Sequence, residues 1–208
     1  MNFNDLLGKT ERKKVSSREE YADSLIRRNF IEMLKKRAIE KIPVAELCEK
    51  CSINRSTFYR HYEDLYQLLD DITAEAHCAI FSDIIAQVNP EDRFEDVIYD
   101  YLLEVCTVTE KNGELYKMLL FGKTPTNLRD RMIESTYRLY ELTHEGPSNF
   151  RPAKYSALHY RFLVSGLIGV WVFWVKNDYS PKKEILAKEL REDLIGFYHN
   201  MSRLYGKD

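Results

Sequence analysis

The sequence is poor in the two residues that most often interrupt regular structure, since only 8 of its 208 residues are Gly and 6 are Pro. This scarcity excludes collagen-like and low-complexity chains. A hydrophobic share of 44% beside 31% charged residues likewise excludes a disordered chain. Strong helix formers such as Leu, Glu, Lys and Arg dominate instead. The composition therefore predicts an all-α globular protein of one or two domains.

Long apolar segments and cysteines are also scarce. The longest apolar run, residues 162–175, is shorter than the ~18–20 residues that cross a bilayer and predicts a buried helix. The first residues lack the apolar core of a secretory signal, and four cysteines are typical of a reducing compartment. We therefore expect a cytoplasmic protein with no membrane partner.

The common catalytic and metal-binding motifs are missing. There is no GxGxxG, Walker A, HExxH or GxSxG sequence. Cys48 and Cys51 form a CxxC pair, but no second pair accompanies it, and the five histidines lack metal-ligand spacing. We expect both cysteines to be small core residues. The sequence thus predicts no catalytic residue, no metal site and no cofactor.

The charge is unevenly distributed along the chain. The net charge is −2, which by itself argues against a nucleic-acid partner. Residues 1–62, however, carry 14 Lys and Arg against 9 Asp and Glu, a net charge of +5, whereas residues 63–208 carry 17 against 24, a net charge of −7. A basic first part on an acidic body favours a DNA-binding segment near the N-terminus.

The basic part begins with a polar arm, residues 1–16, and continues with short helices. The first helix is predicted to end near Arg37, and Pro43 is expected to open the second as its first helical residue. Asn54 is predicted to be the N-cap of a third helix, and Asp64 with Gln67 caps a fourth. Further helices are expected at about 92–110, 114–121, 125–142, 152–176 and 182–205.

Residues 43–62 combine a helix, a short turn and a second helix, the arrangement of a helix-turn-helix. An Arg in a groove-bound helix can pair with guanine, and hydroxyl groups suit phosphate oxygens. Phe58 and Ile53 should point inward. An ordinary helical hairpin with a solvated face is the alternative. The candidate DNA-binding residues are Arg55, Ser56, Thr57, Tyr59, Arg60 and His61.

The segment PVAELCEKCSINRSTFYRHY, residues 43–62, resembles the helix-turn-helix of the TetR (tetracycline-repressor) family of transcriptional regulators, with STFYRHY as the most specific part. The resemblance implies a homodimer with a three-helix DNA-binding domain at 17–77 and a helical dimerisation and effector domain at 78–208. It places Arg55, Thr57, Tyr59 and His61 where members contact DNA, and Phe58 and Tyr62 where they pack the small core.

Three residues depart from the family pattern. Ser52 occupies a turn position that is often Gly, so it has either a negative φ or mild strain. Ala38 stands where a Gly often ends the first helix. Leu65 stands where many members have a Lys that holds a phosphate. The loss of this Lys should lower the salt dependence of DNA binding by about one ion.

The apolar run at 162–175 predicts the dimer interface. It is apolar around nearly the whole helix, so one layer of a monomer would cover one face and a second subunit the other. Gly166 and Gly169 would let a partner helix approach closely. With the last helix this predicts a four-helix interface, and the alternative is a central core helix of a monomer.

We therefore expect a homodimeric repressor that binds a double-stranded DNA operator and is released by a small-molecule effector, whose binding residues the sequence does not assign. One alternative is a TetR-like co-activator that works through a protein partner and binds DNA weakly. The other is an α-helical enzyme, and the only feature that favours it is the aromatic-rich second domain.

Overall fold

The computed structural model describes residues 17–87, 94–144 and 156–205. Within these ranges the chain forms nine α-helices and one short 3-10 helix, Ile39–Lys41, without any strand, which confirms the predicted all-α fold. The basic arm predicted at 1–16 lies outside the described residues. The helices are α1 Ser17–Leu34, α2 Val44–Lys50, α3 Arg55–His61, α4 Leu65–Gln87, α5 Phe94–Lys111, α6 Gly113–Phe121, α7 Leu128–His144, α8 Ser156–Lys176 and α9 Lys183–Tyr205.

The helices divide into two compact units. The first combines the residues up to His77 with Glu114–Leu128, and the second combines Cys78–Gly113 with the residues from Arg129 onward. A segment containing most of α6 thus joins the first unit, although a continuous second domain was expected from residue 78. The domain limits 17–77 and 78–208 stay predictions.

Each of the helices α1 to α4 contributes at least one completely buried side chain to the core of the first unit. Ile26 and Phe30 of α1, Leu47 of α2, Phe58 of α3 and Leu68 of α4 are completely buried. Each contributes about 1.5–3 kcal/mol relative to an exposed position. Ile26 and Phe30 are four residues apart, so they lie on one stripe of α1 that faces this core.

The observed helix ends correct two sequence predictions. α1 ends at Leu34 rather than Arg37, because residues 35–37 turn back so that the amides of Lys36 and Arg37 both donate to Met33 O. Pro43 is the N-cap of α2 and not its first helical residue, since its ψ of 137° is extended. Its carbonyl still accepts the first helical bonds, at 3.1 and 3.3 Å.

The predicted start of α4 is confirmed in its hydrogen bonds. The Gln67 amide donates to Asp64 Oδ1 at 2.8 Å, and the Glu63 amide donates to Gln67 Oε1 at 2.6 Å. The first bond satisfies an amide that a helix N-terminus leaves without an intrahelical partner, and the second ties the preceding residue to the first turn.

α6 and the loop after it are bonded to the helices of the first unit. Tyr116 Oη donates to Ala76 O of α4 at 2.8 Å, and Lys123 Nζ donates to Lys36 O at 2.8 Å. The Ile39 amide donates to Thr124 Oγ1 at 2.9 Å in a buried position. The loop between α1 and α2 is therefore anchored by residues about 85 positions further along the chain.

In the second unit, α8 is fixed by its tryptophans. Trp171 Nε1 donates to Thr109 Oγ1 of α5 at 3.0 Å, and Trp174 Nε1 donates to Pro181 O at 2.7 Å. Tyr179 packs edge-on against Trp174 and donates from its hydroxyl to Gly113 O at 2.7 Å. These contacts hold one face of α8 against the rest of the unit.

The opposite face of α8 is exposed although it is apolar. Leu158 is 81% exposed, Phe162 74% and Phe173 61%, whereas Val164, Trp171 and Trp174 are buried. Among the described residues, the stretch Leu158–Lys176 is the one segment long and apolar enough, by length and composition alone, to cross a membrane. The expected burial of this run is thus met on one face only within a single chain.

The Thr124 anchor can be tested with an isosteric substitution. Thr124→Val leaves the buried Ile39 amide without its acceptor, so it should lower the free energy of unfolding by about 1–3 kcal/mol. Thr124→Ser keeps the hydroxyl and serves as the matched control. Denaturant unfolding followed by circular dichroism measures both, and equal stability of the two variants would contradict the role assigned to the hydroxyl.

Candidate nucleic-acid interface

The turn between α2 and α3 is a helix-ending motif with an unusual residue at its key position. The Ser52 amide donates to Glu49 O and the Ile53 amide to Cys48 O, both at 3.0 Å. This pair of bonds is the Schellman pattern, which requires a left-handed residue after the helix cap. Ser52 supplies it with a φ of 53°. Of the two conformations considered for Ser52, the structure has the positive φ, which costs energy in a residue with a Cβ.

The residues predicted to contact DNA lie together on α3. Tyr59 is 56% exposed, and Arg55, Ser56 and Arg60 are exposed as well, while Thr57 and His61 are partly buried. Asn54 is the N-cap of α3 as predicted, but its side chain makes no capping bond. The helix thus presents a polar surface of the six residues Arg55, Ser56, Thr57, Tyr59, Arg60 and His61, which we call the α3 surface.

Three members of the α3 surface differ in how they contact the rest of the protein. Arg60 Nε lies 3.7 Å from Glu19 Oε1 of α1, and both side chains are well exposed, so this ion pair is weak. His61 Nε2 is enclosed and has no hydrogen-bond partner within the described part of the chain. Tyr59 packs edge-on against Phe58, with ring centroids 5.4 Å apart.

The opposite side of α3 packs as predicted. Phe58 is fully buried, Tyr62 is 3% exposed and Ile53 is partly buried. The rings of Phe58 and Tyr62 lie 5.9 Å apart. These contacts orient the helix so that the α3 surface faces outward.

A cluster around Arg27 joins α1, α3 and α4, and the sequence reading did not find it. Arg27 pairs with Asp23 of its own helix and with Glu75 of α4, at 2.9 and 2.8 Å. The Tyr62 hydroxyl donates to Asp23 Oδ1. Burial and this bond to a carboxylate raise the pKa of Tyr62, so the phenol stays a donor at neutral pH. The i, i+4 spacing of Asp23 and Arg27 was the only sequence signal.

Leu65, at the position where many TetR members have a Lys, is part of the core and is 6% exposed. Its neighbour Tyr66 is 55% exposed on the first turn of α4. The first residues around this turn, Glu63 and Asp64, are exposed acids. This end of α4 therefore presents a phenol and two carboxylates rather than a cation.

Cys48 and Cys51 occupy the core, each 3% exposed. Cys51 Sγ donates to Leu25 O at 3.6 Å, and burial raises the pKa of both thiols. Both positions agree with the expected packing role. Across the three described ranges, no group of three or more His, Cys, Asp or Glu side chains could hold a metal ion.

Comparison with protein families identifies the chain. Residues 78–195, more than half of the chain, match the family described as a transcriptional regulator C-terminal region, of the TetR type. The chain belongs to the TetR family of transcriptional regulators. The match lies entirely outside the helix-turn-helix segment, so it supports the resemblance of residues 43–62 independently.

The TetR fold is also found among solved structures. The dihydroxyacetone kinase operon activator DhaS superposes with a TM-score of 0.58 at 14% sequence identity, over 88% of this chain and 97% of that one. At this identity the likeness shows the fold alone. A search of the curated proteins found no match.

The strain at Ser52 predicts a difference between two small substitutions. Ser52→Gly removes the Cβ from the left-handed residue, whereas Ser52→Ala keeps it, and both remove the hydroxyl. Ser52→Gly should therefore be more stable than Ser52→Ala by about 1 kcal/mol. Thermal unfolding of both variants measures the difference. A Gly variant no more stable than the Ala variant would show that the turn carries no such strain.

Proposed function

We propose that this TetR-family regulator binds a double-stranded DNA operator through the α3 surface. The observation that carries the proposal is the exposure of Arg55, Ser56, Tyr59 and Arg60 on one short helix whose Phe58 side is buried. An exposed helix of this kind fits the major groove, where Arg55 would pair with a base edge and the hydroxyls would bind phosphates. The charge of +5 on residues 1–62 supports the attraction to DNA.

We further propose a homodimer formed through α8 and α9. Leu158, Phe162 and Phe173 leave an apolar face of α8 exposed, and Ile185 of α9 is 51% exposed. A Cβ added at Gly166 or Gly169 would meet nothing within 4 Å, so within one chain these glycines leave open space. A second copy packed against this face would cover the apolar side chains and use that space for close helix approach.

The dimer explains how the regulator would act. Two α3 helices related by a two-fold axis would enter successive major grooves about 34–36 Å apart. We propose that the protein is a cytoplasmic repressor without catalytic activity, and that a small molecule bound in the second unit favours a dimer whose α3 helices are wrongly spaced for DNA.

Substitution of Arg55 tests the DNA contact. Arg55→Ala should weaken binding to an operator selected from random DNA by about 1–3 kcal/mol and relax the preference at one base pair. Arg129→Ala, an exposed cation of the second unit, is the matched control and should bind like the wild type. Gel shift at fixed salt measures affinity, and repeated selection measures preference.

Two outcomes of this experiment count against the proposal. If Arg55→Ala leaves both the operator affinity and the base preference unchanged, α3 is not the helix that contacts the bases. A wild-type protein that shifts no DNA fragment specifically would favour the co-activator alternative, in which a protein partner supplies the DNA contact.

The dimer face predicts a substitution that spares the single chain. Gly166→Leu has room in the monomer and removes a helix-destabilising glycine, so the helix should not be weakened. It would obstruct close approach of a partner helix and should shift the protein toward monomer, as sedimentation equilibrium would show. Glu134→Leu, an exposed site on α7, is the control. A Gly166→Leu protein that remains as dimeric as the wild type would place the interface elsewhere.

A further inference from the structure

Arg27 occupies an unusual place for a cation, because its side chain is only 13% exposed. Each of its three nitrogens faces a carboxylate. Nε lies 2.9 Å from Asp23, Nη1 lies 2.8 Å from Glu75, and Nη2 lies 3.8 Å from Asp71. The first partner is on α1 and the other two are on α4. One guanidinium therefore ties α1 to α4, using the fork geometry that Arg has and Lys lacks.

The same guanidinium reaches the end of α3 through Tyr62. Its carbon lies 5.6 Å from the centroid of the Tyr62 ring, within the range of a cation–π contact. Tyr62 is the C-cap of α3, and its amide closes the helix by donating to Phe58 O at 3.0 Å. Its hydroxyl donates to Asp23, the carboxylate that Arg27 also holds. Ring, hydroxyl and guanidinium thus form a closed set of contacts.

Arg27 is the member of this cluster that pairs with all three carboxylates. Its guanidinium lies between Asp23 of α1 and the acids Asp71 and Glu75 of α4. Removing the guanidinium would take away its attraction to acidic groups of both helices, so the contact between α1 and α4 would loosen. Tyr62, bonded to one of those acids, would move with them.

We infer that Arg27 is a positioning residue for DNA recognition: without touching DNA, it sets the orientation of α3 through Tyr62 and holds it against α1 and α4. The inference rests on the proposed DNA-binding function. Reading base edges requires side chains held within about 0.5 Å, whereas attraction to the phosphates tolerates larger displacements. Loss of Arg27 should therefore reduce sequence discrimination more than general affinity for DNA.

The experiment compares two duplexes. One is a 30-bp duplex selected by the wild-type protein from random DNA, and the other is its scrambled version. Arg27→Met removes the charge and keeps much of the aliphatic length, Arg27→Lys keeps a charge that cannot bridge both helices, and Tyr62→Phe removes only the hydroxyl link. Lys35→Met, an exposed cation directly after the end of the same helix, is the control. Circular dichroism at the assay temperature reports how much of each variant is folded.

We expect Arg27→Met to lower the ratio of affinities for selected and scrambled DNA by about tenfold, which corresponds to about 1.4 kcal/mol. Tyr62→Phe and Arg27→Lys should lower it by smaller factors, and Lys35→Met should leave it unchanged. The variants' affinity for scrambled DNA and the salt dependence of that affinity should stay close to wild type, because the phosphate contacts are kept.

Two results would overturn the inference. In one, folded Arg27→Met and Tyr62→Phe keep the wild-type ratio. In the other, the affinities for selected and for scrambled DNA fall together in proportion to the unfolded fraction of the variant, which is what a purely structural role produces. A wild-type protein that selects no sequence would instead contradict the proposed function itself, so the two failures are distinguishable.

Discussion

The proposed DNA-reading surface depends on a helix that is too short to be stable alone. α3 has seven residues, about two turns, and isolated helices below about 12–15 residues are marginal in water. Its conformation and direction therefore have to come from contacts at its ends and on its inner side. The Schellman turn at Ser52 fixes where it begins, Phe58 anchors its middle, and Tyr62 fixes where it ends.

This dependence explains why the first unit recruits residues far from the helix-turn-helix. The turns between the helices of this unit contain backbone groups that helical hydrogen bonds do not satisfy, and such groups are costly where they are buried. Thr124 satisfies the Ile39 amide, and Lys123 binds the carbonyl of Lys36. Tyr116 adds a bond to the carbonyl of Ala76 on α4. The unit is completed by α6 and its loop rather than by the segment 17–77 alone.

The sequence could predict a contact when the interacting residues are close together along the chain. The inward Phe58, the capped start of α4 at Asp64 and the core cysteines were predictable, because periodicity and capping act over three or four residues. The Thr124 bond to Ile39 and the Arg27 pair with Glu75 span 85 and 48 residues, and no local pattern encodes them. Pro43 was misplaced by one position for a related reason, since both positions satisfy the fixed φ of proline and only ψ separates them.

The DNA-binding residues and their supporting contacts differ in how far the sequence could predict them. Residue types and the family resemblance predict the α3 surface, and the fold exposes Arg55 and Tyr59 on it. The sequence could not show that Tyr62 contacts Arg27, because this contact forms only where α1, α3 and α4 meet in the folded chain. Asp23, Arg27 and Tyr62 come together only when the chain folds.

Leu65 links the stability of the unit to the way it would bind DNA. Where many TetR members carry a Lys, this chain buries an apolar side chain that is 6% exposed, and so gains core packing in place of a phosphate contact. The exposed acids Glu63 and Asp64 next to it make that end of α4 still less attractive to phosphate. Because this end of α4 adds little affinity for the DNA phosphate backbone, a larger share of the binding free energy must come from the α3 surface. DNA binding by such a protein depends more heavily on the orientation of α3. It therefore depends on the contacts of Phe58, Tyr62 and Arg27 that set this orientation.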